Sequence, residues 1–161
     1  MRDDWIVRLK DLLGTLTAIK KGKESRVCES HRTLGAIYHS KGEKEKAIHH
    51  FETALAIASP FSWNGELFSI HYNLAQLFRF EDDFDNAQVH IEQAKTYAVD
   101  DRYQLGRAIL QQAWIYYGQN RLEDSTSEAL SALEIFGGLG TQQYAEECKG
   151  LLQDIKRATE S

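Results

Sequence analysis

Apolar residues recur at helical spacing along nearly the whole chain, in stretches separated by short polar or glycine-containing breaks. Residues 2–20 put Trp5, Ile6, Leu9, Leu12, Leu13, Leu16 and Ile19 on one face and predict a terminal helix. Residues 141–159 do the same with Tyr144, Cys148, Leu151, Leu152 and Ile155. Between them the pattern predicts three hairpins of two helices each, turned at Lys41-Gly42-Glu43, Glu81-Asp82-Asp83 and Gly118-Gln119-Asn120. Ser59-Pro60 and Gly137-Gly138-x-Gly140 close the first and third hairpins, by removing a backbone donor and by permitting left-handed dihedrals. The expectation is an all-α chain of about eight helices.

The hairpins are copies of one another. Leu34-Gly35-x-x-Tyr38 aligns with Leu74-Ala75-x-x-Phe78 and with Gln112-Ala113-x-x-Tyr116. Twelve residues after each small residue stands another, Ala47, Ala87 and Ser125; then come Phe51, Ile91 and Ala129, and then Ala54, Ala94 and Ala132. The copies are offset by 40 and then 38 residues. Neither helix of such a hairpin buries its apolar stripe alone, so small residues mark the close crossing and an aromatic fills the space beside it.

Residues at these spacings resemble the tetratricopeptide repeat. The first copy follows that pattern closely, the second departs at Ala75 and Ile91, and the third at Gln112, Ser125 and Ala129. The period exceeds the usual repeat of roughly 34 residues, and in this the chain resembles the arrays of kinesin light chains, cell-polarity adaptors and large fungal signalling ATPases. The resemblance implies a right-handed α-solenoid of three hairpins between two capping helices. It divides a single domain, 1–161, into an N-terminal cap (1–21), repeats at 24–60, 61–99 and 101–137, and a C-terminal cap (141–159). A fragment of a longer array would carry the same pattern.

In that family the first helix of each hairpin lines a concave groove. By family register the groove takes Glu29, Arg32, Ala36 and His39 from the first copy, and Ser69, Tyr72, Gln76, Arg79 and Phe80 from the second. The third gives Arg107, Leu110, Trp114 and Tyr117; the last helix gives Glu146, Lys149 and Gln153. Five potential cations (Arg32, His39, Arg79, Arg107 and Lys149) face two carboxylates, so the implied partner is a protein or peptide of acidic character with a bulky apolar anchor. Solvated arginines and core-filling aromatics are the plainer alternative. The family's clamp for a terminal carboxylate maps onto Arg32, Ala36, Asn73, Arg107 and Gln111, where Ala36 and Gln111 depart from it.

Composition narrows the partner. The 161 residues carry 19 basic and 24 acidic side chains, a formal charge of −5, which gives no general attraction to nucleic acid or anionic lipid. No apolar run approaches the length of a membrane span, and the charged start is unlike a signal peptide. Two distant cysteines, Cys28 and Cys148, read as reduced buried thiols and suit a cytoplasmic setting. Six histidines raise the question of metal. His31 and His71 occupy the same repeat position and read as structural, adjacent His49 and His50 point apart, and His90 has no ligand partner at helical spacing. The glycine loop at 137–140 lacks the strand and Lys-Ser of a phosphate cradle. The expectation is therefore a protein-interaction module without cofactor, metal or catalytic residues. A structural or self-assembling unit, forming a homo-oligomer or a scaffold segment, is the alternative.

Overall fold

The computed structural model describes residues 4–98 and 100–160, leaving the side chains of residues 4–7, 9 and 10 undescribed. Among these residues there are seven α-helices: α1 (Asp4–Ser40), α2 (Lys44–Ala58), α3 (Asn64–Phe80), α4 (Phe84–Tyr97), α5 (Arg102–Gly118), α6 (Leu122–Leu139) and α7 (Gln142–Glu160). A single 3₁₀ turn, Ser59–Phe61, follows α2. The elements are the antiparallel hairpins of an α-solenoid, α1 with α2, α3 with α4 and α5 with α6, with α7 against α5 and α6. They fall into two compact units divided between Ser62 and Trp63. No helix among the described residues is long and apolar enough to cross a membrane.

One expectation needs correcting. The terminal cap and the first helix of the first hairpin are one continuous helix, so the expected eight helices are seven. Nothing at residues 20–24 stops a helix: Gly14 and Gly22 lie within it, each costing about 1 kcal/mol relative to alanine without breaking the hydrogen-bond ladder. The expected face at Trp5, Ile6 and Leu9 lies outside the described side chains. Likewise Gly137 and Gly138 remain inside α6, and only Gly140 turns left-handed (φ 68°) to end it.

The three hairpin turns share one mechanism. Gly42, Asp82 and Asn120 all have positive φ, at 73°, 56° and 58°. In each, the next residue's amide reaches back five residues: Glu43 N to Tyr38 O at 2.9 Å, Asp83 N to Phe78 O at 2.9 Å, and Arg121 N to Tyr116 O at 2.8 Å. This satisfies carbonyls that the helix end leaves bare.

Packing follows the repeat. All nine aligned second-helix positions, from Ala47, Phe51 and Ala54 through Ala87, Ile91 and Ala94 to Ser125, Ala129 and Ala132, are fully buried. The two polar departures of the third copy have specific partners in the second unit. Ser125 Oγ donates to the Ala113 carbonyl across the α5–α6 crossing at 2.8 Å. Gln112, fully buried, exchanges amide hydrogen bonds with Gln88 of α4, the Gln88 donor at 3.2 Å. That pair fixes the register of one hairpin against the next. Gln112→Ala, which takes one partner from Gln88 and one acceptor from Lys95 while leaving Gln88 its bond to Glu92, is expected to cost about 1 kcal/mol, whereas Gln88→Leu/Gln112→Leu stays closer to wild type. Urea denaturation distinguishes them; a double variant less stable than the single one would contradict the pairing.

Candidate partner-binding face

Within the second unit α3, α5 and α7 lie side by side, α3 against α5 and α5 against α7. Arg107 of α5 is held by aromatic rings. Its guanidinium carbon lies 4.3 Å from the Tyr72 ring centre, 5.7 Å from Phe68 and 5.9 Å from Tyr103. Arg79, seven residues after Tyr72 and so on the same side of α3, sits 4.3 Å from the Phe80 ring centre and 5.7 Å from Trp114. Such placements stabilise a cation by about 0.5–2 kcal/mol each and hold it without neutralising it. Trp114 in turn meets Tyr117 edge-on at 5.9 Å.

Burial and three charged groups, Arg79, Arg107 and Glu147, set the electrostatics around Tyr72. Burial depresses the Arg79 pKa, while Tyr72 and Glu147 act against that shift. Burial raises the Tyr72 pKa, and the Arg107 and Arg79 charges oppose it. Neither arginine forms an ion pair with a carboxylate among the described residues. The Nε atoms of Arg79 and Arg107 and the Nε2 of Gln111, itself 3% exposed, are enclosed with no acceptor among the described residues. Beside them Tyr144 of α7 stacks on Phe136 at 4.8 Å, and burial together with its hydrogen bond to Tyr103 pushes its pKa up to about 12. It stays a neutral phenol.

Of the groove residues read from sequence, Tyr72, Asn73, Gln76, Arg79, Phe80, Arg107, Trp114, Tyr117 and Lys149 belong to the second unit, and Arg32 and His39 belong to α1 in the first. The structure gathers Tyr72, Arg79, Phe80, Arg107, Trp114 and Tyr117 into the linked aromatic and cationic contacts above. Asn73 and Gln76 are half-buried on α3. Lys149 is exposed and pairs with Glu146 at 2.8 Å. Arg32 and His39 are half-buried, each with an interaction inside the chain. Sequence reading missed Tyr103, Tyr144 and Glu147. Tyr103 precedes Arg107 by four residues, and Tyr144 and Glu147 are three apart, which was the available signal.

The histidines pair in a way helical spacing does not reveal. His31 Nδ1 lies 2.9 Å from His50 Nδ1, and His71 Nδ1 lies 3.0 Å from His90 Nδ1, one pair in each of the first two hairpins. Both are cross-hairpin hydrogen bonds between half-buried rings. No group of three or more ligand side chains that could hold a metal occurs among the described residues. Cys148 is fully buried, and burial pushes its thiol up to about 11, which leaves it unreactive.

Models of the tetratricopeptide repeat match residues 28–60 and 68–98. Among solved structures, the chain is similar to a tetratricopeptide-repeat-like protein from Chlorobium tepidum, with 17% identity, a TM-score of 0.66, and coverage of 85% of this chain and 99% of that one. At that identity the likeness concerns the fold. No curated protein matches significantly.

Proposed function

For a chain that belongs to the tetratricopeptide-repeat proteins, we propose that the α3–α5–α7 face of the second unit holds an acidic peptide or protein segment. Tetratricopeptide repeats generally mediate protein–protein interaction or scaffolding, and their fold is typically a binding module rather than an enzyme. The observation that carries the finer reading is the pair Arg79 and Arg107, two guanidiniums positioned by aromatic rings and, among the described residues, without an ion pair to a carboxylate. A protein that spends side-chain order on holding two cations still, with Glu147 offsetting the charge of Arg79 only in part, is preorganised for an anion. Trp114 and exposed Phe80 beside Arg79 offer a surface for an apolar anchor.

The test is affinity capture from cell lysate with wild type and with Arg79→Ala/Arg107→Ala, the two matched in helicity and melting temperature. Partners with acidic segments are expected to bind the variant at least tenfold more weakly, and wild-type binding is expected to fall with added salt. Retention of every partner by the variant would move the binding surface elsewhere.

A further inference from the structure

The first unit carries a second surface, on the side of α1 turned away from α2. Leu12, Leu16, Ile19, Val27, Leu34 and Ile37 are 39–63% exposed, a set of large apolar side chains on one described helix. Their spacing is that of a helix-packing seam: steps of four and three lead from Leu12 through Leu16 to Ile19, and on through Lys23, Val27, Ser30 and Leu34 to Ile37. One extra residue of drift at Lys23–Val27 shifts the phase once, as a stutter does. A groove of about 410 Å³ opens on this side, lined by Lys23, Arg26, Val27, Ser30, His31 and Leu34.

The repeat itself shows what such a seam takes. In the second unit the positions of α5 equivalent to Val27, Ser30, Leu34 and Ile37, at an offset of 78 residues, are Leu105, Ala108, Gln112 and Ile115. Leu105, Ala108 and Ile115 pack into one cluster with residues of the preceding hairpin α3–α4, and Gln112 bonds Gln88 of α4. This side of a first helix is therefore built to receive a helix.

Charge selects which helix. Helical register places Arg8, Lys20, Lys23 and Arg26, all exposed, along or within the seam, while Asp11, Glu24 and Glu29 fall roughly a third of a turn or more away from its midline. At the positions equivalent to Lys23 and Arg26 stand Asp101, which caps α5, and Gln104, so the basic rim belongs to α1 and not to the repeat pattern. Pairing α1 with a second copy of itself would set these cations against one another, which opposes self-association. A narrow, four-three seam suits a helix better than a lipid surface, which wets a broad apolar face. We propose that α1 docks an amphipathic helix of another protein, with apolar residues at heptad spacing and carboxylates on its flanks, independently of the face on the second unit.

The probe is a synthetic peptide of about four heptads with leucine at the two core positions and glutamate at both flanking positions. Its counterpart carries lysine at the flanks, and both are titrated against the full chain by fluorescence anisotropy. The glutamate peptide is expected to bind at least tenfold more tightly than the lysine peptide, and Leu16→Ser/Leu34→Ser is expected to abolish the difference. Lys20→Glu/Lys23→Glu/Arg26→Glu, altering exposed residues only, is expected to keep the wild-type melting temperature and to invert the preference. Equal binding of the two peptides, or none, overturns the proposal. So does sedimentation as a dimer that Leu16→Ser/Leu34→Ser dissolves, or binding to phosphatidylserine vesicles in place of the peptide.

Discussion

Phe136→Ala lowers the stability of the second unit by about 3–5 kcal/mol, the largest effect expected of any single substitution in it. The ring is fully buried where α5, α6 and α7 converge. It stacks on Tyr144 at 4.8 Å, meets Tyr103 edge-on at 6.3 Å and fills the space over Gly106, where an added Cβ would come within 3.0 Å of the ring. Truncation leaves a cavity that these neighbours cannot close without shifting the helices themselves. It also removes the support under Tyr103 and Tyr144, which flank Arg107, so acidic-peptide affinity should fall along with stability. Urea denaturation of the full chain, followed by near-ultraviolet circular dichroism, checks it. A loss below about 1 kcal/mol would mean that α7 is not packed as described.

Acid is the second large perturbation. Burial, and then the neighbouring His90, lowers the His71 pKa from 6.5 to about 4. The folded state thus favours the neutral ring, and the stability this provides is complete above pH 6.5 and is lost as pH falls towards 4. A shift of that size is worth roughly 3 kcal/mol for a fully enclosed ring and about 2 kcal/mol here, because solvent reaches part of the side chain. The surroundings explain the direction. His71 stacks on Tyr97 at 5.9 Å, and His90 stacks on Phe78 at 5.5 Å. A first proton leaves the 3.0 Å hydrogen bond in place but puts charge into a half-buried space; a second removes the bond. His50 in the first hairpin is lowered for the same reasons, burial and then His31, with His49 adding to it. Stability measured by urea at pH 7.5 and at pH 4 should therefore differ by about 2 kcal/mol more in wild type than in His71→Leu/His90→Leu. Equal pH dependence in the two proteins would contradict the assignment.

The fold was legible because the close helix crossings demand small residues at fixed intervals. Ala47, Ala87 and Ser125 announce three crossings before any contact is known, and all three are buried. The turns were legible for a different reason: Gly42, Asp82 and Asn120 are residue types that tolerate positive φ, and they stand at matching places. The boundary inside α1 was misplaced because the repeat pattern begins near residue 24 while the backbone ladder does not. Repeat register describes packing, and a helix continues wherever nothing interrupts it. Gln112 looked like decay of the pattern because its partner, Gln88, lies 24 residues away on another hairpin.

The same distinction divides the candidate face. Tyr72, Arg79, Arg107 and Trp114 could be aligned from periodicity because each lies on a single helix whose inner face is fixed by Leu74, Ala75 and Ala113. On α7 the phase was less constrained. Glu146 and Lys149, both expected there, pair with each other, and Glu147, which was not expected, is the residue whose charge reaches Arg79. The histidine pairs were hidden by the assumption that ligands or partners recur at three or four residues. The shared separation of 19, between His31 and His50 and between His71 and His90, was the signal of a contact across the hairpin.

The most direct test of acidic-peptide docking on the second unit is an NMR titration of the ¹⁵N-labelled full chain with two peptides. One carries aspartate and glutamate around a tryptophan or leucine anchor, and the other replaces every carboxylate by its amide. The acidic peptide should bind at least tenfold more tightly, with shifts concentrated at Tyr72, Arg79, Arg107 and Trp114. Equal affinity for the two peptides, or shifts confined to α4 and α6, would contradict the assignment of this face.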